Sequence, residues 1–186
     1  GDCGYAMGFE LDVTRIVGVM SNLGGKVLSV KGQHFQVKDG PTAAIATITE
    51  LSRALLAETS VPKEKLLGAA VGMSGPVLYE EGVPLSPPIM PGWDGYPLRQ
   101  QLQEALAMPV YLDNDANLGA LGEHMYGEGQ GIANLVYLKV NSGIGAGFIL
   151  RGQLFRGAWG VAGEIGHVSI DEDGPPCSCG SNGCLE

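Results

Sequence analysis

The stretch "LLGAAVGMSGP", residues 66–76, is apolar or glycine for eight positions and then stops at Ser-Gly-Pro. A run this short and this uniformly apolar, closed by turn residues, reads as a strand buried on both faces, as in a parallel or mixed sheet. Its sheet must then be covered by helices, and both flanks offer one. Upstream, Ile45, Ile48, Leu51 and Leu55 recur at helical spacing in "TAAIATITELSRALLAET" (42–59), with Thr42 placed to cap. Downstream, "LRQQLQEALA" (98–107) puts Leu98, Leu102 and Leu106 on one stripe and leads to a second short strand, "PVYLD" (109–113). Alternation of this kind defines an α/β class.

Further out, residues 8–38 read as a β-meander. "GFELDVTRIVGVMS" (8–21) is bounded by the turn signal "NLGG", and "KVLSVKG" (26–32) resumes the β-branched character. "PLSPPIMPGWDGYP" (84–97) is loop. A second unit begins near residue 116, with "ANLGALGEHMYG" as a helix and "NLVYLKVN" and "AGFILR" as strands joined by "SGIG". The expected organisation is a first α/β domain over 1–116 and, over 117–186, the beginning of a second. With two clear strands and little to cover them, the second is expected to be truncated.

Composition narrows the function classes. The 186 residues are 45% hydrophobic, enough for a packed core. Twenty Asp and Glu against eleven Lys and Arg give a net charge of −9, which argues against neutralising a phosphate backbone. No run of about 18 apolar residues and no basic-then-apolar leader occur, so neither a membrane span nor a secretory signal is expected and a cytoplasmic protein is the default.

Three of the four cysteines lie together near the end of the chain. Cys177, Cys179 and Cys184 give Cys-x-Cys-x4-Cys, with glycines between them that let the thiolates turn toward one point. Adjacent Cys-x-Cys thiols make a strained disulfide, and a reducing compartment would keep them free. A metal is the better reading, with His167 as fourth ligand of a Cys3His zinc site closed by protein ligands and therefore structural. An exposed reduced loop or a redox pair are the alternatives. Cys3 stands apart as a free thiol. Glu164 and Glu186 flank the cluster, so a metal that fixes the backbone would fix two carboxylates suited to accept hydrogen bonds from sugar hydroxyls. His167 could then serve metal and ligand with its two ring nitrogens.

"GVAGEIGHVSIDEDGPPCSCGSNGCLE" (160–186) resembles the signature of the ROK family, which contains bacterial sugar kinases and sugar-responsive transcriptional repressors. "LDNDANLGALGE" (112–123), "PGWDGYPLRQQL" and "SGIGAG" extend the resemblance over essentially the whole chain. It implies an actin-like, ribonuclease H-like fold of two α/β domains with a cleft between them. It also implies that a sugar is held by Gly75, Asn114, Asp115, Glu164, His167 and Glu186, that zinc sits on His167, Cys177, Cys179 and Cys184, and that the protein forms homo-oligomers. In the kinases of such a family Asp115 would be the general base toward a sugar hydroxyl. Without the resemblance, Asp115 or Asp113 could equally cap the helix that follows.

The departures fall where ATP and Mg2+ would bind. Family kinases open with Asp-x-Gly-Gly-Thr, whereas "GFELDVTRI" aligns Glu10 with the aspartate, Asp12 and Val13 with the glycines and Thr14 with the threonine. A carboxylate there repels triphosphate and a β-branched side chain blocks its approach. "NSGIGAG" keeps Ser142, Gly143 and Gly145 as a second phosphate segment, though such glycines also make an ordinary hairpin. Ile89 replaces the family's asparagine before "PGW". The expected protein is therefore the sugar or sugar phosphate effector-binding portion of a repressor, with DNA bound only through a helix-turn-helix missing ahead of the first strand. The alternative is an ATP-dependent hexose kinase.

Overall fold

In the computed structural model, which describes residues 3–186, three antiparallel strands open the fold: β1 (Tyr5–Leu11), β2 (Arg15–Asn22) and β3 (Val27–His34). Helix α1 (Gly40–Thr59) follows, then β4 (Leu66–Met73), a short ribbon of β5 (Val77–Leu78) and β6 (Val83–Pro84), helix α2 (Leu98–Leu106) and β7 (Val110–Asn114). The principal sheet has the order β3-β2-β1-β4-β7, with β4 parallel to both β1 and β7.

Burial on both faces of β4 holds. Ala69, Val71 and Met73 join the core formed with α1 and α2. On the other face, a Cβ at Gly72 would lie 3.2 Å from the Cα of Asp115 and from Leu118 of helix α3 (Asp115–Tyr126). Leu98, Leu102 and Leu106 form the buried stripe of α2. Thr42 does not cap α1: the helix begins two residues earlier because Pro41 is preset for a first helical turn. The continuous strand signal of "GFELDVTRI" is broken by a turn at 12–14, where the Asp12 amide donates to the Arg15 carbonyl.

A second, three-stranded antiparallel sheet packs on α3: β8 (Leu135–Val140), β9 (Ile144–Leu150) and β10 (Gln153–Phe155). The approach is close enough to require Gly147, where a Cβ would stand 2.3 Å from the carbonyl oxygen of Ala116. Strand β10 is an addition to the two strands expected. Its hairpin turn is Arg151-Gly152, both at positive φ (54° and 77°), and an arginine at a left-handed position hides the usual signal. On the face of this sheet away from α3, Val136, Leu138 and Val140 are exposed.

The proline-rich loop is anchored rather than loose. Trp93 is fully buried, meets Phe35 edge-on at 6.4 Å, and donates its indole N–H to the Val37 carbonyl at 3.1 Å. Among the described residues no helix is long and apolar enough to cross a membrane.

Candidate functional site

The carboxyl ends of the three parallel strands β1, β4 and β7 deliver Asp12, Ser74-Gly75 and Asn114-Asp115 to one edge of the sheet, where ligands of open α/β sheets gather. Facing that edge are the β8–β9 turn, the segment 164–167 and Glu186. Between them lies a cleft lined by Ser74, Gly75, Pro88, Ile89, Asn114, Asp115, Lys139, Asn141 through Gly145, Glu164, His167 and Glu186. All six residues expected to hold a sugar are in this lining, as are Ser142, Gly143 and Gly145.

Local chemistry explains each placement. Asn114, rather than Asp113 or Asp115, caps α3: its Oδ1 accepts from the amides of Ala116 (2.9 Å) and Asn117 (3.2 Å). Its Nδ2 donates to the Gly75 carbonyl at 3.0 Å, pinning the turn after β4, which needs glycine because φ is 98°. Asp113 is buried and accepts from Asn117 Nδ2 at 2.9 Å and from Arg156 at 2.8 Å, tying β7 to the segment after β10. Capping being done by Asn114, the Asp115 carboxylate is free to face the cleft.

There it meets Lys139, which no motif in the sequence marks. Lys139 Nζ lies 2.7 Å from Asp115 Oδ2 and 2.7 Å from Glu10 Oε1, while Ser74 Oγ donates to the same Asp115 oxygen at 2.9 Å. Burial alone would depress the lysine, but the two carboxylate hydrogen bonds outweigh it and hold the ammonium above its ordinary pKa. Asp12 makes a second latch at the 12–14 turn. It is 4% exposed, and its carboxylate accepts from Ser142 Oγ at 2.7 Å, Asn141 Nδ2 at 3.4 Å and the Val13 amide at 2.8 Å. The two segments aligned with phosphate loops are thus latched to each other by a carboxylate.

The opposite wall is carboxylate-rich. Glu186 Oε2 accepts from the Ile144 amide at 2.8 Å, with Gly143 leaving room for it. Glu164 is pushed above the ordinary carboxylate range, chiefly by burial, with the charges of Asp115 and Glu186 adding and His167 opposing. Ile89 and Pro88 supply an apolar wall.

The cysteine cluster holds this wall in place. Ligand atoms of His167, Cys177, Cys179 and Cys184 all lie within 4.8 Å of one another. The Cys179–Cys184 sulfur separation is 3.7 Å and Cys177 Sγ to His167 Nδ1 is 3.6 Å. Zinc bonded to sulfur at about 2.3 Å and nitrogen at about 2.05 Å sets tetrahedral S–S and S–N separations of about 3.75 and 3.6 Å. The donor set and spacing therefore fit a structural zinc ion, and 3.7 Å is far from a disulfide. Among the thiols, the Ser181 backbone N–H draws Cys179 down to about 7, while burial and its neighbours push Cys184 up to about 12. Cys3 is free and exposed. Backbone bonds carry the cluster's geometry to the cleft, since Leu185 donates to Val168 (3.1 Å) and Glu186 to Gly166 (3.0 Å). Gly166 in turn lies against β9, where a Cβ would stand 2.2 Å from the Ile144 carbonyl.

Known proteins resemble the chain in sequence and fold. The chain is 36% identical over 185 residues to the xylose repressor of Caldicellulosiruptor bescii, covering 100% of this chain and 46% of the repressor. It is 36% identical over 183 residues to the glucokinase of Halalkalibacterium halodurans, covering 98% and 55%. Among solved structures, the ROK family glucokinase from Streptomyces griseus in complex with glucose and AMPPNP superposes with a TM-score of 0.82 at 31% identity, over 97% of this chain and 55% of that one. The chain thus spans about half the length of the relatives it matches. A sequence profile of the ROK family matches residues 6–186, and with an actin-like α/β fold, a Cys3His cluster and this level of identity, the chain belongs to the ROK family.

Proposed function

We propose that these residues form the sugar or sugar phosphate effector-binding part of a ROK-family transcriptional regulator. The observation that carries this reading is the occupation of the phosphate side of the cleft by the protein's own charges: the Asp12 carboxylate latches the 12–14 turn to Ser142 of the β8–β9 turn, and Lys139 bridges Glu10 and Asp115. The opposite wall keeps the carboxylates of Glu164 and Glu186 beside His167. Acceptors at fixed positions suit hydroxyls, and the apolar face of Ile89 suits a ring's C–H surface.

In this reading zinc on His167, Cys177, Cys179 and Cys184 supplies a crosslink and no reaction. His167 holds it through Nδ1 and keeps Nε2 for a ligand oxygen. A sugar joining Gly75, Asn114 and Asp115 on one side to Glu164 and Glu186 on the other favours one relative orientation of an N-terminal unit, through residue 116, and a second unit over 117–186. That differential affinity is the switch. DNA contact belongs to chain outside these 186 residues. Calorimetry on the full-length protein tests the reading. A monosaccharide or its phosphate should bind, and alanine at Asp115 and Glu164 should abolish both binding and the sugar's effect on DNA affinity. Absence of both effects overturns it.

A second reading, an ATP-dependent hexose kinase with Asp115 as general base, is favoured by Asp115 facing the cleft and by the equal identity to a glucokinase. It requires Lys139 to release Asp115 and Asp12 to make way for triphosphate. ADP release on addition of sugar and Mg2+–ATP, lost in Asp115→Asn, would establish it.

A further inference from the structure

The cysteine cluster sits where a small reagent can reach it. A cavity of about 260 Å³ on its outer side is lined by Pro175, Pro176, Cys177, Ser178, Cys184 and Glu186. Glu186 lines both this cavity and the cleft, so the cluster lies between solvent and the carboxylate wall.

Two of the three clustered thiols are placed to meet. The Cys179 and Cys184 sulfurs are 3.7 Å apart, and a bond at about 2.05 Å requires them to close by about 1.65 Å. The four residues between them include Gly180 and Gly183 at φ 93° and 58°, a turn that already brings the two positions together. Cys177 is engaged elsewhere, its sulfur 3.6 Å from His167 Nδ1, and a bond from it to Cys179 would close a strained Cys-x-Cys ring. Cys184 also belongs to the segment that holds the wall: it bridges Ser169, and the next two amides, of Leu185 and Glu186, donate to Val168 and Gly166.

We propose that Cys179 and Cys184 form an oxidation site, at which a peroxide converts the zinc-bound thiolate pair to a disulfide, expels the metal and loosens the wall that carries Glu164 and Glu186. The site rests on the fit of zinc to the cluster and not on the effector reading. Coordination keeps the sulfurs as thiolates, the form that attacks a peroxide. The Cys184 thiolate, which borders the cavity, attacks one peroxide oxygen; the O–O bond breaks and the departing hydroxide takes a proton to become water. The Cys179 thiolate then attacks the sulfenic sulfur and displaces a second hydroxide, which is likewise protonated. Two thiolates, one hydrogen peroxide and two protons thus give one disulfide and two waters, with sulfur oxidised and peroxide reduced. His167 and Cys177 are then the two ligands left, too few for a structural zinc site.

The experiment treats the full-length, zinc-loaded protein with hydrogen peroxide in the presence of a chromogenic zinc chelator, against a peroxide-free control, and maps the cysteines by mass spectrometry without reduction. Cys3, free and exposed, reports the oxidant dose. The expected result is loss of one zinc per chain, a Cys179–Cys184 link, and faster hydrogen exchange of amides 164–168 and 184–186, all reversed by a thiol reductant with added zinc. Zinc retained at a dose that oxidises Cys3 overturns the proposal. Zinc release with a link through Cys177, or with sulfinic acid and no link, overturns the assigned pair. Release with unchanged exchange overturns the coupling to the wall.

Discussion

Lys139 Nζ and Asp115 Oδ2 are 2.7 Å apart across the cleft, and the same ammonium reaches Glu10 on β1. One side chain of β8 therefore ties the second sheet both to the start of α3 and to the first strand of the principal sheet. A cation between two carboxylates is the arrangement that a bound divalent ion would otherwise satisfy.

Removing that cation leaves Glu10 and Asp115 facing each other without compensation, with Asp115 only 12% exposed at its side chain. Lys139→Met should lower stability by about 1–3 kcal/mol, the cost of leaving hydrogen-bonding groups unsatisfied in a partly buried site. For a chain of this size that is a melting shift of about 2–12 °C, and Glu10→Gln in the same background should recover part of it. The sign of the pH dependence follows from the raised lysine pKa. The folded state holds this proton more tightly than the unfolded state, so the contribution is fully present below the ordinary lysine value and is lost as pH rises through the folded one. Thermal melts of wild type and Lys139→Met should converge at strongly alkaline pH.

Zinc should be present at one ion per chain by elemental analysis, and Cys184→Ser should weaken zinc affinity by at least roughly tenfold in a chelator competition. Because Cys184 lies two residues from Glu186, whose backbone is tied to Gly166, metal loss should also weaken sugar binding. Chelation that strips zinc while leaving sugar affinity unchanged would separate the cluster from the cleft.

The α/β pattern was legible because β4 is apolar on both faces and because α2 repeats leucine every four residues. The four zinc ligands were legible because their spacing is local. Lys139 was not, for a physical reason. In "LVYLKV" the apolar alternation of Val136, Leu138 and Val140 marks those residues as inward and Lys139 as solvent-facing. The structure turns the strand the other way, half-burying Lys139 against two distant carboxylates and exposing the three apolar side chains. Partners 24 and 129 residues away in sequence leave no local trace. The cap of α3 escaped similarly: three consecutive residues, Asp113, Asn114 and Asp115, can all cap, and tertiary demands decide. Arg156 claims Asp113, Lys139 claims Asp115, and Asn114 remains.

Glu164 should give sugar binding a pH dependence displaced upward from that of an ordinary carboxylate, since burial raises its pKa. The ionised form accepts hydroxyl donors, so affinity should fall on acidification and begin to fall above the usual carboxylate range. Glu164→Gln should bind more weakly at neutral pH and show a flatter profile. The same shift sets a stability trend of opposite sense: the folded state binds this proton more tightly, so the carboxyl favours folding at low pH and loses that contribution as pH rises through the raised value.

In the proposed regulator the cleft binds sugar with its phosphate side closed by Asp12 and Lys139. The most direct measurement is a paired assay on the full-length protein, recording heat on titration with a neutral monosaccharide and ADP release from Mg2+–ATP at saturating sugar. Saturable heat, lost in Glu164→Ala, with ADP release no greater than in Asp115→Asn, is the predicted result. Sugar-dependent ADP release that Asp115→Asn abolishes would instead make the protein a kinase.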